Sequence, residues 1–251
     1  MPLIRLSGVT KSYDRPVLAP LTFEILEREF VILLGPSGCG KSTLLRLLSG
    51  IESIDSGELL LPDGLSPSVV FQEPRLLPWR TVVENVMLPF ELSSLSSGRD
   101  AGRAQALETL RRVGLFDFAD HYPHELSGGM QMRVAIARAL VTKPKLLLLD
   151  EPFAALDEVS RFRLQEELLR LWRQTELTII FVTHSLSEAV YLGTRHIVFS
   201  PRPARVIGDR GSALPIDERV RTASEFQREV EMLQTLQHSH QTQPTLKDGV
   251  Q

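Results

Sequence analysis

The sequence FVILLGPSGCGKST, residues Phe30–Thr43, sets the architecture of this chain. It begins with a continuous apolar run, which is typical of a short strand buried on both faces. The run stops at Gly35 and Pro36, and leucines at helical spacing follow Lys41 until Gly50 ends the pattern. The stretch therefore predicts a buried strand, a glycine-rich loop and a helix in immediate succession.

The glycine-rich loop matches a phosphate-binding pattern, in which a glycine and four further residues precede Gly-Lys-Ser/Thr. Small residues let the backbone approach phosphate oxygens, and the N–H groups of the loop and the helix start present positive dipoles to the anion. We expect Lys41 to reach the β- and γ-phosphates and the Ser42 hydroxyl to bind Mg²⁺. The predicted nucleotide-binding residues of the loop are Gly35, Pro36, Ser37, Gly38, Cys39, Gly40, Lys41, Ser42 and Thr43.

A second buried strand is predicted at Leu146–Leu149, and two carboxylates, Asp150 and Glu151, follow it directly. Because ligands of α/β proteins bind at the carboxyl ends of parallel strands, these side chains belong at the same edge as the phosphate loop. Asp150 suits the coordination shell of Mg²⁺, and Glu151 is placed to orient or deprotonate an attacking water. Taken alone, the pair is more typical of a turn with two solvated acids; the loop upstream favours the catalytic interpretation.

Strand and helix patterns on both sides of these motifs predict an α/β fold. Alternating apolar residues before Phe30 predict strands, and a helix-rich stretch at about residues 80–143 separates two blocks of strand and helix. The simplest arrangement is a parallel sheet with an inserted helical subdomain. Within the insertion, the polar stretch Ser93–Asp100 predicts a loop.

The composition changes after Pro215. Apolar residues between Val220 and Leu233 give one weak helical stripe, which either docks on the core or contacts a partner. The stretch His238–Gln251 is polar and has no periodic pattern. We therefore expect one main domain over residues 1–215, and a C-terminal helix with a disordered tail over residues 216–251.

Charge and hydropathy exclude several classes of protein. The 28 basic and 31 acidic residues give a net charge of −3, which argues against naked nucleic acid as the main partner. The apolar runs are far shorter than the ~18 residues that cross a bilayer, and no signal peptide is expected. Any association with a membrane is therefore expected to go through a protein partner.

A third motif, Leu126–Gln131 with sequence LSGGMQ, precedes the strand at Leu146–Leu149. Ser127 can cap the helix that follows, and Gly128 and Gly129 leave its first N–H groups open to an anion. Taken alone, an ordinary capped helix is the simpler interpretation. The order of the motifs along the chain changes that interpretation.

Together, the motifs resemble those of the ATP-binding subunits of ABC transporters. The resemblance covers about residues 3–210, and it includes the family's glutamine loop and the position of an aromatic residue that stacks on adenine. One departure is Met130–Met132, where many members carry more Gln and Arg. In the family's order, the motifs are Tyr13, the phosphate loop 35–43, Phe71-Gln72, Leu126–Gly129, Asp150-Glu151, Ala155–Asp157 and Thr183-His184.

The resemblance implies the fold class, the activity and the residue roles. The fold is an α/β P-loop NTPase with a mainly parallel sheet core, an N-terminal antiparallel β subdomain and an inserted α-helical subdomain. The protein is an ATPase with ATP and Mg²⁺ as cofactors, and two copies pack head to tail around ATP. The implied roles are phosphate and Mg²⁺ binding by Lys41, Ser42, Gln72 and Asp150, water activation by Glu151, γ-phosphate contact by His184, and closure from the partner copy by Ser127, Gly128 and Gly129.

Within that family, three segments resemble the corresponding segments of importers of nitrate, sulfonates, taurine and related solutes. These segments are Phe71–Trp79, Glu151–Asp157 and Ser200–Pro203. This likeness implies an ATPase that energises import of a small anionic solute. Its partners are a transmembrane permease bound through the 72–90 region and, indirectly, a solute-binding protein, with no nucleic acid. The implied location is peripheral, at the cytoplasmic face of the inner membrane.

Three alternatives stay open at this point. A soluble ABC ATPase that acts on nucleic acid or ribosomes is disfavoured by the single set of motifs and the net charge of −3. A nucleotide-sensing scaffold without hydrolysis is disfavoured because Glu151 and His184 are present. The apolar cluster Leu76–Trp79 forms either the core of the helical subdomain or a groove that accepts a short permease helix.

Overall fold

Strands and helices alternate along the chain, and a computed structural model describes residues 2–92 and 99–238. Within these residues the strands are β1 (Pro2–Ser12), β2 (Pro16–Leu26), β3 (Phe30–Leu34), β4 (Ser56–Leu60), β5 (Ser68–Val70), β6 (Leu146–Asp150), β7 (Thr178–Thr183), β8 (Arg195–Phe199) and β9 (Val206–Gly211). The α-helices are α1 (Lys41–Leu48), α2 (Val82–Leu92), α3 (Arg99–Arg112), α4 (Gly128–Leu140), α5 (Glu158–Gln174), α6 (Leu186–Leu192) and α7 (Ser224–His238). None of these helices combines the length with the apolar composition that a membrane-spanning segment needs.

The central sheet has the strand order β5-β6-β7-β3-β8-β9. Its pairs are parallel except at the edge, where β9 runs antiparallel to β8. A separate antiparallel sheet has the order β2-β1-β4. These two sheets confirm the predicted fold class of a mainly parallel core with an N-terminal antiparallel layer.

Strand β3 lies in the middle of the protein, as its apolar run predicts. Phe30, Ile32 and Leu34 face a core shared with α4, α5, α6 and α7. Val31 and Leu33 point to the opposite face, where a second core joins the antiparallel sheet and α1. All five side chains are fully buried. The phosphate loop that follows β3 is therefore anchored between two packed layers.

The inserted helices α2, α3 and α4 have a hydrophobic core of their own. Ala106 and Leu110 of α3 are fully buried in it, while most other residues of that helix face solvent. The prediction of a loop over residues 93–100 is wrong at its end, because α3 already begins at Arg99 and Asp100 places a favourable negative charge in its first turn. Residues 93–98 of that prediction lie outside the described part of the chain.

The C-terminal helix α7 docks on the core. Phe226 and Leu233 are buried in the cluster that also contains β3, and the helix packs on α6, β8 and β9. The predicted start of the helical stripe at Val220 is wrong, because α7 begins only at Ser224. Val220 lies in the segment before the helix and is 58% exposed. His238 is the last residue of the helix rather than tail, and the predicted tail beyond it, residues 239–251, lies outside the described residues.

Candidate nucleotide-binding and catalytic site

Gly40 of the phosphate loop occupies a position where the backbone and its neighbours exclude a side chain. Gly40 has a φ of 126°, in a region that L side chains rarely adopt. A Cβ atom there would lie 2.7 Å from Cδ2 of Leu18 and 3.2 Å from the carbonyl oxygen of Val17. Helix α1 then begins with no side-chain cap and no acidic residue in its first turn. Its N-terminal N–H groups are therefore available to an anion.

The ammonium group of Lys41 lies inside the loop. Its Nζ donates to the carbonyl oxygen of Gly35 at 2.7 Å and to that of Pro36 at 2.9 Å, and the residue is 5% exposed. An ammonium has three N–H donors, so one remains for a phosphate oxygen. The loop holds this positive charge at the carboxyl edge of the sheet before any phosphate is bound.

Ser42 and Asp150 meet across the sheet edge. The Ser42 hydroxyl donates to Oδ1 of Asp150 at 3.0 Å, although the two residues come from α1 and from the end of β6. Burial raises the pKa of Asp150 above its ordinary value, and the Ser42 hydrogen bond opposes that rise. Because an ionised carboxylate is costly in such a place, the pair suits a cation that neutralises it.

The donor set at this edge fits Mg²⁺ bound together with a nucleotide. Among the described residues there is no cluster of three or more His, Cys, Asp and Glu side chains that could hold a metal. Mg²⁺ is usually held by one or two protein oxygens, phosphates and water, and Ser42 and Asp150 supply that number. A cleft of about 470 Å³ adjoins both residues and is also lined by Gln72 and Arg46.

Glu151 turns away from Asp150 and meets His184. Its φ of 46° is unusual for a residue with a side chain, and its backbone N–H donates to the carbonyl oxygen of Val182 at 3.1 Å. Oε2 of Glu151 lies 2.9 Å from Nδ1 of His184. An ionised carboxylate only accepts hydrogen bonds, so a hydrogen bond to ionised Glu151 requires the proton of His184 on Nδ1. The structure thus joins the ends of β6 and β7 through these two side chains.

The Leu-Ser-Gly-Gly motif lies on the helical subdomain. Ser127 is the N-cap of α4, and its Oγ accepts from the backbone N–H of Met130 at 3.3 Å. Ser127 and Gly128 are exposed, whereas Gly129 packs beside Ser160 at the start of α5. The start of α4 therefore presents Ser127 and Gly128 at the surface, and a helix start is a place where N–H groups can contact a phosphate.

Three further predicted residues have different surroundings. Gln72 is exposed and lines the 470 Å³ cleft beside Ser42 and Asp150. The Cys39 thiol is buried, and burial raises its pKa, so it is a filler of the loop rather than a reactive group. The hydroxyl of Tyr13 donates to Glu52, beyond the end of α1, and the residue is 49% exposed. Its stacking on adenine stays a prediction.

The sequence motifs do not predict the polar groups that support the glutamine loop and the loop of His184. Arg138 of α4 donates to the carbonyl oxygens of Pro74 and Arg75, each at 2.8 Å, and so ties the glutamine loop to the helix of Ser127. Glu188 of α6 is buried beside the end of β7 and accepts a hydrogen bond from the hydroxyl of Thr183, the residue before His184. Only the capping spacing of Ser185 and Glu188 gives a sequence signal for the second group.

Comparisons with known proteins define the class. A family model described as ABC transporter matches residues 18–154. The chain is 47% identical to the taurine import ATP-binding protein TauB of Rhizobium johnstonii over 203 residues, 78% of this chain and 77% of that protein. It is 41% identical to the aliphatic sulfonates import ATP-binding protein SsuB of Bacillus cereus over 236 residues, 89% of this chain and 91% of that one.

Solved structures agree with these sequence matches. A dimeric ATP-binding cassette in a post-hydrolysis state, bound to ADP and phosphate, is 32% identical and superposes with a TM-score of 0.73 over 84% of this chain and 100% of that one. The chain therefore belongs to the ABC transporter family. It is an ATP-binding ATPase, as the motifs of the sequence indicated.

Proposed function

We propose that this chain energises an ABC importer for a small anionic solute, such as taurine or another sulfonate. The observation that carries the proposal is the arrangement of Ser42, Asp150, Glu151 and His184 at one sheet edge, which brings candidate Mg²⁺ ligands and a candidate base for the attacking water together. The names of the taurine and sulfonate import relatives support the solute class. Residues 1–215 would form the ATP-binding domain and residues 216–251 a C-terminal appendage.

The residues of the site divide the work of hydrolysis. Lys41 and the N–H groups of the phosphate loop bind the β- and γ-phosphates, and Ser42, Asp150 and Gln72 hold Mg²⁺. That ion, when bound, neutralises charge on the β- and γ-phosphates. Glu151 orients the attacking water and accepts its proton, while His184 contacts the γ-phosphate and keeps Glu151 in place through their hydrogen bond.

A second copy of the chain would complete the site. One helix N-terminus and one lysine neutralise only part of the charge of a triphosphate. The start of α4, where Ser127 and Gly128 are exposed and Gly129 lies buried behind them, would offer a second set of N–H donors from outside. The dimeric state of the solved ATP-binding cassette supports head-to-tail packing of two copies around two nucleotides.

The surface for the permease would lie in the 72–90 region. Leu76 is packed into the subdomain core, whereas Trp79 is 70% exposed and is free to contact a partner. Asn85, fully buried on α2, accepts from the Leu77 N–H at 2.7 Å and donates to the carbonyl oxygens of Leu77 and Arg80, each at 3.1 Å. The loop therefore presents Trp79 from a fixed backbone, and a rigid exposed Trp suits an interface anchor.

A link between nucleotide and permease follows from the same segment. Gln72 lines the Mg²⁺ cleft, and the carbonyl oxygens of Pro74 and Arg75 are held by Arg138 of α4. A shift of Gln72 towards bound nucleotide would move the permease surface together with α4. The chain would sit peripherally at the cytoplasmic face of the inner membrane, which the names of the import ATP-binding relatives support, and a solute-binding protein would act on the other side of the permease.

The solute class is tested by reconstitution. Vesicles that contain the chain, the permease subunits of its transporter and their solute-binding protein should accumulate taurine or an alkanesulfonate only with ATP and Mg²⁺ on the side of the chain. Vesicles with Glu151→Gln in place of the native chain are the control and should accumulate none. Accumulation of unrelated cations or sugars instead of sulfonates would refute the solute class.

The permease surface is tested by Trp79→Ala. We expect the affinity for the permease to fall by about 30-fold or more, because an anchoring Trp contributes roughly 2 kcal/mol or more to an interface. The affinity for ATP should change less than about twofold, a difference of about 0.4 kcal/mol. Binding is measured by co-purification with detergent-solubilised permease over a series of permease concentrations. The matched control is Leu60→Ala, at a 46% exposed leucine on β4. Loss of ATP binding with intact permease binding would contradict the assignment.

A further inference from the structure

Glu188 is a buried carboxylate that the proposed steps of hydrolysis do not use. It lies on α6, four residues after His184, and is 7% exposed. Burial raises its pKa above the ordinary value, while the hydrogen bond from Thr183 and the charge of Arg161 oppose the rise. A carboxylate is costly in such a position unless its surroundings use it. Its contacts show what it holds.

One carboxylate oxygen fixes the backbone on both sides of His184. Oε2 of Glu188 accepts from the Thr183 hydroxyl at 2.6 Å, and that hydroxyl accepts from the Ser185 N–H at 3.0 Å. The Glu188 N–H donates back to Oγ of Ser185 at 3.3 Å. The His184 side chain is itself 57% exposed, so its position depends on this hydrogen-bonded loop more than on packing.

The other oxygen reaches the Ala155–Asp157 motif. Oε1 of Glu188 accepts from Nε2 of Gln165 at 3.2 Å and lies 3.8 Å from Nε of Arg161. The same Arg161 donates from Nη2 to the carbonyl oxygen of Leu156 at 2.8 Å. A single carboxylate thus joins the loop that carries His184 to the loop that precedes α5.

The C-terminal segment closes this cluster. The Arg221 side chain donates to Oε1 of Gln165, and its guanidinium lies 3.4 Å from the centre of the Tyr191 ring and 4.2 Å from that of Phe162. Gln165 is thereby fixed with its amide nitrogen towards Glu188 and its oxygen towards Arg221. If the Gln165 amide were rotated by 180°, it would lose its hydrogen bonds to Glu188 and Arg221. Residue 188 must therefore offer a hydrogen-bond acceptor to the nitrogen of that amide.

We propose that Glu188 is a positioning residue for ATP hydrolysis, which holds His184 in contact with Glu151 and in register with the Ala155–Asp157 loop. The inference rests on the proposed role of His184 in hydrolysis. It assigns to Glu188 no contact with the nucleotide. Its loss should therefore lower the rate of the chemical step without weakening the binding of ATP.

Glu188→Gln tests the proposal, because it preserves size but places a second amide against Gln165. We expect kcat for Mg²⁺-ATP hydrolysis by the full chain to fall about 10-fold, as small misplacements of a catalytic group can do, with KM for ATP within about twofold. Thr183→Val removes the hydroxyl that donates to Glu188 and keeps a side chain of similar shape. It should also lower kcat and leave KM for ATP nearly unchanged.

An exchange of the two side chains supplies the rescue. In the double variant Gln165→Glu with Glu188→Gln, the introduced amide can donate to the introduced carboxylate, which also faces Arg221. We expect kcat to return to within about threefold of the native value. Glu166→Gln, at the exposed neighbour on α5, removes the same charge and should leave kcat unchanged.

Two further measurements separate the possible failures. His184→Ala must lose activity if the proposed function of that residue is right; retained activity would refute that function. If His184→Ala is inactive but Glu188→Gln and Thr183→Val hydrolyse ATP at the native rate, the positioning role is wrong. It is also wrong if the single variants lose kcat only in proportion to a lowered Tm, or if the double variant restores Tm without restoring kcat.

Discussion

Glu151→Gln should lower kcat for ATP hydrolysis by about 100-fold or more while ATP binds with an unchanged affinity. General bases contribute roughly 10²–10⁴-fold to rates, and the amide cannot accept the proton of the attacking water. The substitution preserves the shape of the side chain and an oxygen that can face Nδ1 of His184, which lies 2.9 Å from Oε2 in the native protein. The strained backbone of Glu151, with its φ of 46°, is also left as it is.

Phosphate release and binding of a fluorescent ATP analogue measure the two effects separately. Because hydrolysis is blocked after binding, the variant should also accumulate as an ATP-dependent dimer in light scattering, and EDTA should disperse that dimer. Glu58→Gln, an exposed carboxylate on β4, is the matched control and should hydrolyse ATP at the native rate. Phosphate release that continues undiminished in Glu151→Gln would remove this residue from the mechanism.

Lys41→Met should weaken ATP binding by about 100-fold or more, which corresponds to about 2.7 kcal/mol. The native ammonium donates to the carbonyl oxygens of Gly35 and Pro36 and has one N–H left for the phosphates. Methionine fills a similar volume at this 5% exposed position but offers neither charge nor donor. Charge-assisted hydrogen bonds are the strong ones, so the loss should fall on the triphosphate more than on the adenine end.

Calorimetry with ATP, ADP and AMP distinguishes this effect from a collapsed loop. The affinity for ATP should fall most and the affinity for AMP least, because only the outer phosphates reach Lys41. Lys145→Ala removes the same charge from an exposed residue just before β6, at the opposite edge of the sheet, and should bind ATP normally. An equal loss of affinity for all three nucleotides would show a structural defect instead.

The sequence was sufficient for those parts of the fold that are buried on both faces. The runs at Phe30–Leu34 and Leu146–Leu149 have no polar interruption, and both are central strands of the sheet. The sequence does not predict strands β4 and β9, because neither strand has a buried residue and their residues carry no regular apolar pattern. The polar start of α3 predicts a loop for a related reason, since only a narrow stripe of that helix is buried.

The candidate site was predictable where short motifs carry the chemistry. Lys41, Ser42 and Asp150 were placed by motif and strand order, and the structure brings Ser42 and Asp150 into contact. The support behind His184 was not predictable. Glu188 takes its partners from α5, from β7 and, through Gln165, from the C-terminal segment, and such contacts exist only once the chain is folded.

The change in backbone conformation between Asp150 and Glu151 has a further consequence. Asp150 ends β6 in an extended conformation, whereas the next residue enters the left-handed region. Adjacent carboxylates would otherwise compete for one cation and repel each other. The turn at this peptide gives the two side chains different partners, Ser42 for Asp150 and His184 for Glu151, so that neighbours in the chain can take up two incompatible electrostatic tasks.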